Sequence, residues 1–129
     1  MASQARKLGL RDGLRIALDG PSAGWSLQVP PGGLEYVEDG PADVIVAFFT
    51  TAGDIAPRLA ALADRVFPSG AVWVAWPRRA GGHRSDISDN VVRECALPLG
   101  LVDVKVAAID DDWSGLRLVW RLSERQRRG

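Results

Sequence analysis

The densest group of reactive side chains in this 129-residue sequence follows a run of Val and Trp, where Trp76-Pro77 opens a stretch holding Arg78, Arg79, His83 and Arg84 around Gly81 and Gly82. Guanidinium and imidazole groups spaced by glycines, with a helix start just beyond, are the parts of a phosphate or carboxylate site, because arginine forks match oxyanions and helix N-termini offer free N–H groups. An acidic group, Asp110-Asp111-Asp112, stands before Trp113. Consecutive side chains in extended chain point to opposite sides, so these carboxylates read as a turn and not as a metal site. The two groups have opposite charge, which gives the arginines an internal alternative in Asp86, Asp110, Asp111 and Asp112. An intramolecular role comes first on this reading, and an anion site second.

Gly20-Pro21-Ser22-Ala23-Gly24 fits G-x-S-x-G, and Asp43, Asp54 or Asp64 followed by His83 would complete a hydrolase order. A nucleophile elbow needs a strong helix starting at its serine, and Trp25 to Pro31 cannot supply one, so a plain turn is expected there. One Cys and one His exclude an internal disulfide, a multi-cysteine zinc site and a histidine metal cluster within one chain. Cys95 falls on an apolar helical stripe and reads as an inert core thiol. No catalytic residue, metal ligand or bound cofactor is therefore assigned. Trp73 and Trp120 have core phase, whereas Trp25, Trp76 and Trp113 fall at strand ends, where an indole roofs the core, stacks on a planar ligand or anchors a partner.

The elements that must position these groups follow from pattern and punctuation. Strands are expected at Leu14 to Leu18, Leu34 to Val37, Ala42 to Phe49 and Ala71 to Trp76, each closed by Gly, Pro or Asp turns. The segment 42–49 is nearly all apolar, which suits a strand covered on both faces. Ile55, Leu59, Leu62 and Val66 recur at helical spacing, with Pro57 tolerable in the first turn. A second helix is capped by Ser85 or Ser88, presents Val91, Val92, Cys95, Ala96 and Leu99, is shortened by Pro98 and ends at Gly100. Leu101 to Ile109 should place Val102, Val104 and Val106 on one face, and Leu116, Leu118, Trp120 and Leu122 should form the inward row of the last strand. So short a turn between them requires an antiparallel hairpin. Between the first two strands, Gly24 to Val29 has room for one helical turn at most. Residues 1–6 and 123–129 are expected to be flexible tails, the latter carrying Arg125, Arg127 and Arg128.

The fold class is α/β: a small, mostly parallel, Rossmann-like sheet of about six strands with few helices and a C-terminal antiparallel hairpin, in one domain over residues 1–129. Ligands of such sheets sit beyond the carboxyl ends of the strands. That edge gathers Trp76, Arg78, Arg79, His83, Arg84, Asp110 and Trp113 as candidate ligand- or partner-binding residues. Sixteen basic residues balance sixteen acidic ones, so nucleic acid is not an expected partner. No stretch has the length of a signal peptide or a membrane span, and the expected location is the cytoplasm. Pairing between subunits is one way to cover the sheet edges.

Trp76-Pro77-Arg78-Arg79, Ser85-Asp86-Ile87-Ser88, Val91-Val92-Arg93-Glu94, Gly100 to Val106 and Asp110 with Trp113-Ser114-Gly115-Leu116 together resemble a family of small bacterial proteins known as a domain of unknown function. The likeness runs from Lys7 to about Trp120. That family resembles a shortened class I methyltransferase fold. The resemblance implies a glycine-rich turn after the first strand and an acidic residue after the second that holds the ribose of S-adenosylmethionine. Gly20 to Gly24 is not G-x-G-x-G, while Glu38 and Asp39 match the acidic position as candidate cofactor-binding residues. The expectation is a non-catalytic binding or regulatory module that recognises a partner protein or a small anionic ligand. The alternative is a minimal enzyme related to S-adenosylmethionine-dependent methyltransferases.

Overall fold

A computed structural model describes residues 4–20, 25–28 and 30–128, with the side chains of 127 and 128 excepted. The elements are α1 (Gln4–Leu8), β1 (Arg15–Asp19), β2 (Glu35–Tyr36), β3 (Val44–Phe48), α2 (Ile55–Arg65), β4 (Ala71–Pro77), α3 (Asp89–Ala96), β5 (Leu101–Ala108), β6 (Trp113–Trp120) and α4 (Leu122–Arg128). Six strands form one sheet in the order β2-β1-β3-β4-β6-β5. The sheet is mixed: β2, β1, β3 and β4 pair in parallel, and β6 runs antiparallel to both β4 and β5.

Alternation sends successive side chains of the central strands to two cores. On one face Ile45, Ala47, Val72, Val74, Leu116 and Leu118 pack under α2 and α3. On the other, Val44, Val46, Phe48, Trp73 and Ala75 lie under α1 and the segment around Trp25 and Leu27. β3 is buried along its whole length, as its unbroken apolar sequence requires. Gly115 is forced by this packing, because a Cβ there would overlap the side chains of Ile109 and Trp73.

Several helix features follow the sequence. Ile55, Leu59, Leu62 and Val66 are buried, Ser88 caps α3 by accepting from the Val91 N–H, and the Leu97–Leu99 turn tightens to 3₁₀ around Pro98 before Gly100 turns left-handed (φ 94°). Arg93 then ties α3 to the sheet, reaching Asp103 with Nε (3.0 Å) and Asp89 with Nη1 (2.9 Å).

Other features correct the sequence reading. Residues 4–8 are helical, and Gln4 is buried: its Nε2 donates to the Ile109 carbonyl (2.9 Å) and its Oε1 accepts from the Gln28 N–H (2.7 Å). A single polar clamp of this kind leaves no hydrophobic period to read. At the other terminus, the last strand runs Trp113–Trp120 and not to Leu122, which begins α4 and is 64% exposed. Arg125, expected in a flexible tail, lies in α4 and donates from Nε to the Trp120 carbonyl (2.9 Å). The expected common face of Val102, Val104 and Val106 is broken by a register shift between Asp103 and Lys105, and Val104 and Val106 are exposed. Both sheet edges carry features that blunt strand addition: β2 has two residues, and β5 has the bulge beside Lys105.

The 21–24 portion of the G-x-S-x-G segment, including Ser22, lies outside the described residues. Residues 25–28 and 30–34 contain no helix, so among the described residues the β1–β2 crossover is irregular chain. No helix among the described residues is long and apolar enough to cross a membrane.

Candidate functional site

Parallel register brings the ends of β1, β3 and β4 to one edge, and the β5–β6 turn joins them there because β6 lies beside β4, with Pro77 opposite Trp113. The basic loop and the acidic turn form a contiguous lip. The Arg78 N–H donates to the Asp112 carbonyl (2.8 Å), and His83 Nε2 lies 2.9 Å from Asp112 Oδ1. Gly81 sits so close that a Cβ would overlap the Asp111 carbonyl oxygen. Gly82 takes the left-handed conformation (φ 88°) that turns the chain back.

Around this lip Asp86, Asp110 and Asp112 are engaged, and not by Arg78, Arg79 or Arg84. Asp110 Oδ2 accepts the Trp25 indole N–H (2.9 Å), while its Oδ1 accepts the backbone N–H groups of Asp112 (2.8 Å) and Trp113 (2.9 Å). Asp112 faces His83, and Asp86 Oδ1 accepts the Ala52 N–H (3.0 Å), tying the loop before α3 to the turn after β3. The three consecutive aspartates therefore do not converge on one point. Among the described residues, the side chains of Arg78, Arg79 and Arg84 make no hydrogen bond or ion pair. This corrects the expectation of internal pairing: the opposite charges meet through His83 and through main-chain groups, leaving the guanidiniums unmatched. Arg79, Gly82, His83, Arg84 and Ser85 line a shallow cavity of about 550 Å³.

At the β1 and β3 ends the arrangement differs. Asp19, the last residue of β1, binds Arg58 of α2, with Nε to Oδ2 at 3.0 Å, and this pairing holds the Arg58 guanidinium still more firmly protonated than usual. A cavity of about 520 Å³ opens beside it, lined by Phe48, Phe49, Thr50, Asp54, Pro57 and Arg58. On the opposite face Trp25 and Trp113 stack edge-on against Phe48, with centroids 4.7 and 4.9 Å away. Trp113 is thus a buried wall of the core, and Trp25 its half-exposed roof.

Glu38 and Asp39 follow β2 beside the end of β1, are exposed, and make no side-chain hydrogen bond or ion pair among the described residues. They sit away from the basic loop, on the far side of β1 and β3 in the sheet order. The described residues fit S-adenosylmethionine poorly. Among the described residues no helix walls the β1–β2 crossover, Trp25 is already committed to Asp110 and Phe48, and Asp19 to Arg58. Cys95 is half-buried against the α2–α3 core, and burial, with Glu94 beside it, pushes its thiol pKa up. Four site features escaped the sequence reading: Asp19–Arg58, Trp25–Asp110, the Asp86 contact, and Ile87, Ser88 and Ser114 gathered beside Trp76. Each joins residues far apart in the chain with no local pattern to announce them.

The fold defines a Rossmann-like α/β protein. It is similar to a SAM dependent methyltransferase from Aquifex aeolicus (TM-score 0.61, 13% identity, covering 88% of this chain and 85% of that one). It is also similar to a protein in the NADB-Rossmann superfamily from Streptococcus agalactiae (0.55, 10%, covering 94% and 69%). An O-methyltransferase from neocarzinostatin biosynthesis, whose structure holds S-adenosylmethionine and 2-hydroxy-5-methyl naphthoic acid, gives 0.59 and 15% identity over 92% of this chain and 50% of its own. At these identities the likeness is one of fold. The DUF3052 family, described as a protein of unknown function, matches residues 34–122, and the chain belongs to that family. No curated protein matches the chain.

Proposed function

We propose that the protein is a non-catalytic binding or regulatory module that takes a small anionic ligand on the loop after β4, through Arg78, Arg79, His83 and Arg84. One observation carries this reading. Every carboxylate expected to neutralise those arginines, apart from Asp111, is engaged elsewhere, while the three guanidiniums have no partner among the described residues. Like charges gathered on one short loop repel, and an oxyanion that accepts from two or more of them relieves that repulsion with charge-assisted hydrogen bonds. A partner protein presenting carboxylates would meet the same groups. Inorganic phosphate titrated into the full chain and followed by NMR should shift residues 78–85, and Arg79→Gln with Arg84→Gln should abolish those shifts while leaving stability within about 0.5 kcal/mol. Silence throughout residues 77–86 would overturn the reading.

A second reading, a minimal enzyme related to S-adenosylmethionine-dependent methyltransferases, draws support from the fold likeness and from the free carboxylates of Glu38 and Asp39 beside the β1 end. Calorimetry with S-adenosylmethionine separates the two. Binding that weakens in Glu38→Gln or Asp39→Asn favours the enzyme, and no heat of binding removes it.

A further inference from the structure

Five tryptophans supply five indole N–H donors, and three have acceptors: Trp25 on Asp110, Trp73 on the Leu8 carbonyl (3.1 Å) and Trp120 on the Ala63 carbonyl (2.8 Å). Trp76 is only 8% exposed, yet its N–H has no hydrogen-bond partner among the described residues and is not sealed from solvent. An N–H open to solvent is met by water in the empty protein, and an acceptor on a ligand takes the place of that water. The Trp113 N–H likewise has no partner among the described residues, but Trp113 lines neither the cavity of the basic loop nor the one beside Trp76.

That second cavity, about 300 Å³, is bounded by Trp76, Arg79, Ile87, Ser88, Asp89 and Ser114. Its walls come from three elements fixed independently. Trp76 and Ser114 are cross-strand partners on β4 and β6, and the buried Ile87 is held by its own N–H donating to Ser85 Oγ (3.0 Å). Ser88 is the cap of α3. The Ser88 oxygen accepts from the Val91 N–H (3.4 Å), which leaves its hydroxyl hydrogen to donate outward. The one carboxylate in the wall is already engaged: Asp89 Oδ2 by Arg93 (2.9 Å) and Oδ1 by the Asn90 N–H (3.0 Å). The residues around the cavity bring to it the apolar side chains of Trp76 and Ile87, and, as the groups that could donate, the Trp76 indole, the Ser88 and Ser114 hydroxyls and the Arg79 guanidinium. Arg79 lines this cavity and the larger basic one alike, so the two adjoin.

A donor-rich pocket with an apolar wall, at the small end of ligand-site volumes, suits one flat ring carrying an oxyanion. We propose that the cavity beside Trp76 binds a single aromatic or heteroaromatic ring, with the phosphate or carboxylate on that ring held by Arg79 and passed toward His83 and Arg84. The proposal rests on the anion reading above and adds the ring to it. A ring packed on the Trp76 indole shifts the Trp76 N–H resonance by its ring current, and a ring that carries polar atoms also accepts from that N–H and from the Ser88 and Ser114 hydroxyls.

The test uses the full chain and two probes, phenyl phosphate and inorganic phosphate, with the Trp76 indole N–H resonance followed by NMR. Phenyl phosphate should move that resonance and bind about tenfold more tightly than inorganic phosphate, a gain of ~1.4 kcal/mol. Inorganic phosphate should move the loop signals alone. Arg79→Gln, at an exposed position that leaves the fold intact, should weaken both probes. Equal affinities with an unmoved Trp76 signal overturn the ring pocket and leave the anion reading standing. A loop silent to both probes overturns the two together.

Discussion

Around the ends of β1 and β3, apart from the exposed Glu38 and Asp39, charged and aromatic groups are matched to one another: Asp19 to Arg58, Trp25 to Asp110, and Phe48 between two indoles. Around the end of β4, three guanidiniums and the Trp76 N–H have no such match among the described residues, although the same edge holds carboxylates enough to provide one. The difference teaches where interaction capacity is spent on the fold and where it remains. Local satisfaction rigidifies the β1–β3 half, since hydrogen-bonded pairs and packed rings stabilise one arrangement. The β4 half is held through backbone contacts and glycine geometry, which leave its cationic side chains available.

Breaking the matched half should cost stability. Phe48→Ala removes the ring that both Trp25 and Trp113 pack against and should lower unfolding free energy by about 3–4 kcal/mol, read from urea denaturation. Asp110→Ala should cost less, about 2 kcal/mol, because it strands the Trp25 indole and two turn N–H groups, the latter within reach of water. The smallest effect belongs to the lip itself. His83→Ala removes an exposed contact to Asp112, and its cost should stay within about 0.5 kcal/mol while loop amide signals broaden or shift. A reversal of this order, with His83 costing more than Phe48, would refute the distinction between the halves.

Much of the scaffold was legible in residue order. The apolar run at Val44–Phe48, the period of Ile55, Leu59 and Leu62, the Ser88 cap and the Gly100 stop are local signals, and local signals survive folding when tertiary packing agrees with them. The β5 bulge and the exposed Leu122 were not legible, because register depends on which strand lies alongside. The same limit applied to the edge. That basic and acidic segments meet there followed from the order of strands, but which donor takes which carboxylate did not. Sequence charge suggested arginine–aspartate pairs, whereas main-chain N–H groups, an indole and His83 reach Asp110, Asp112 and Asp86 first, being held in place by the backbone or a ring and losing less side-chain entropy.

The most direct test of the contrast between the halves offers the protein one molecule that either half would accept. Adenosine monophosphate carries a ribose suited to carboxylates such as Glu38 and Asp39, and a phosphate suited to Arg79, His83 and Arg84. A chemical-shift map of the full chain with this nucleotide should show changes centred on residues 78–85. Changes centred instead on Asp19, Gly20, Glu38 and Asp39, with the loop after β4 unmoved, would contradict the account.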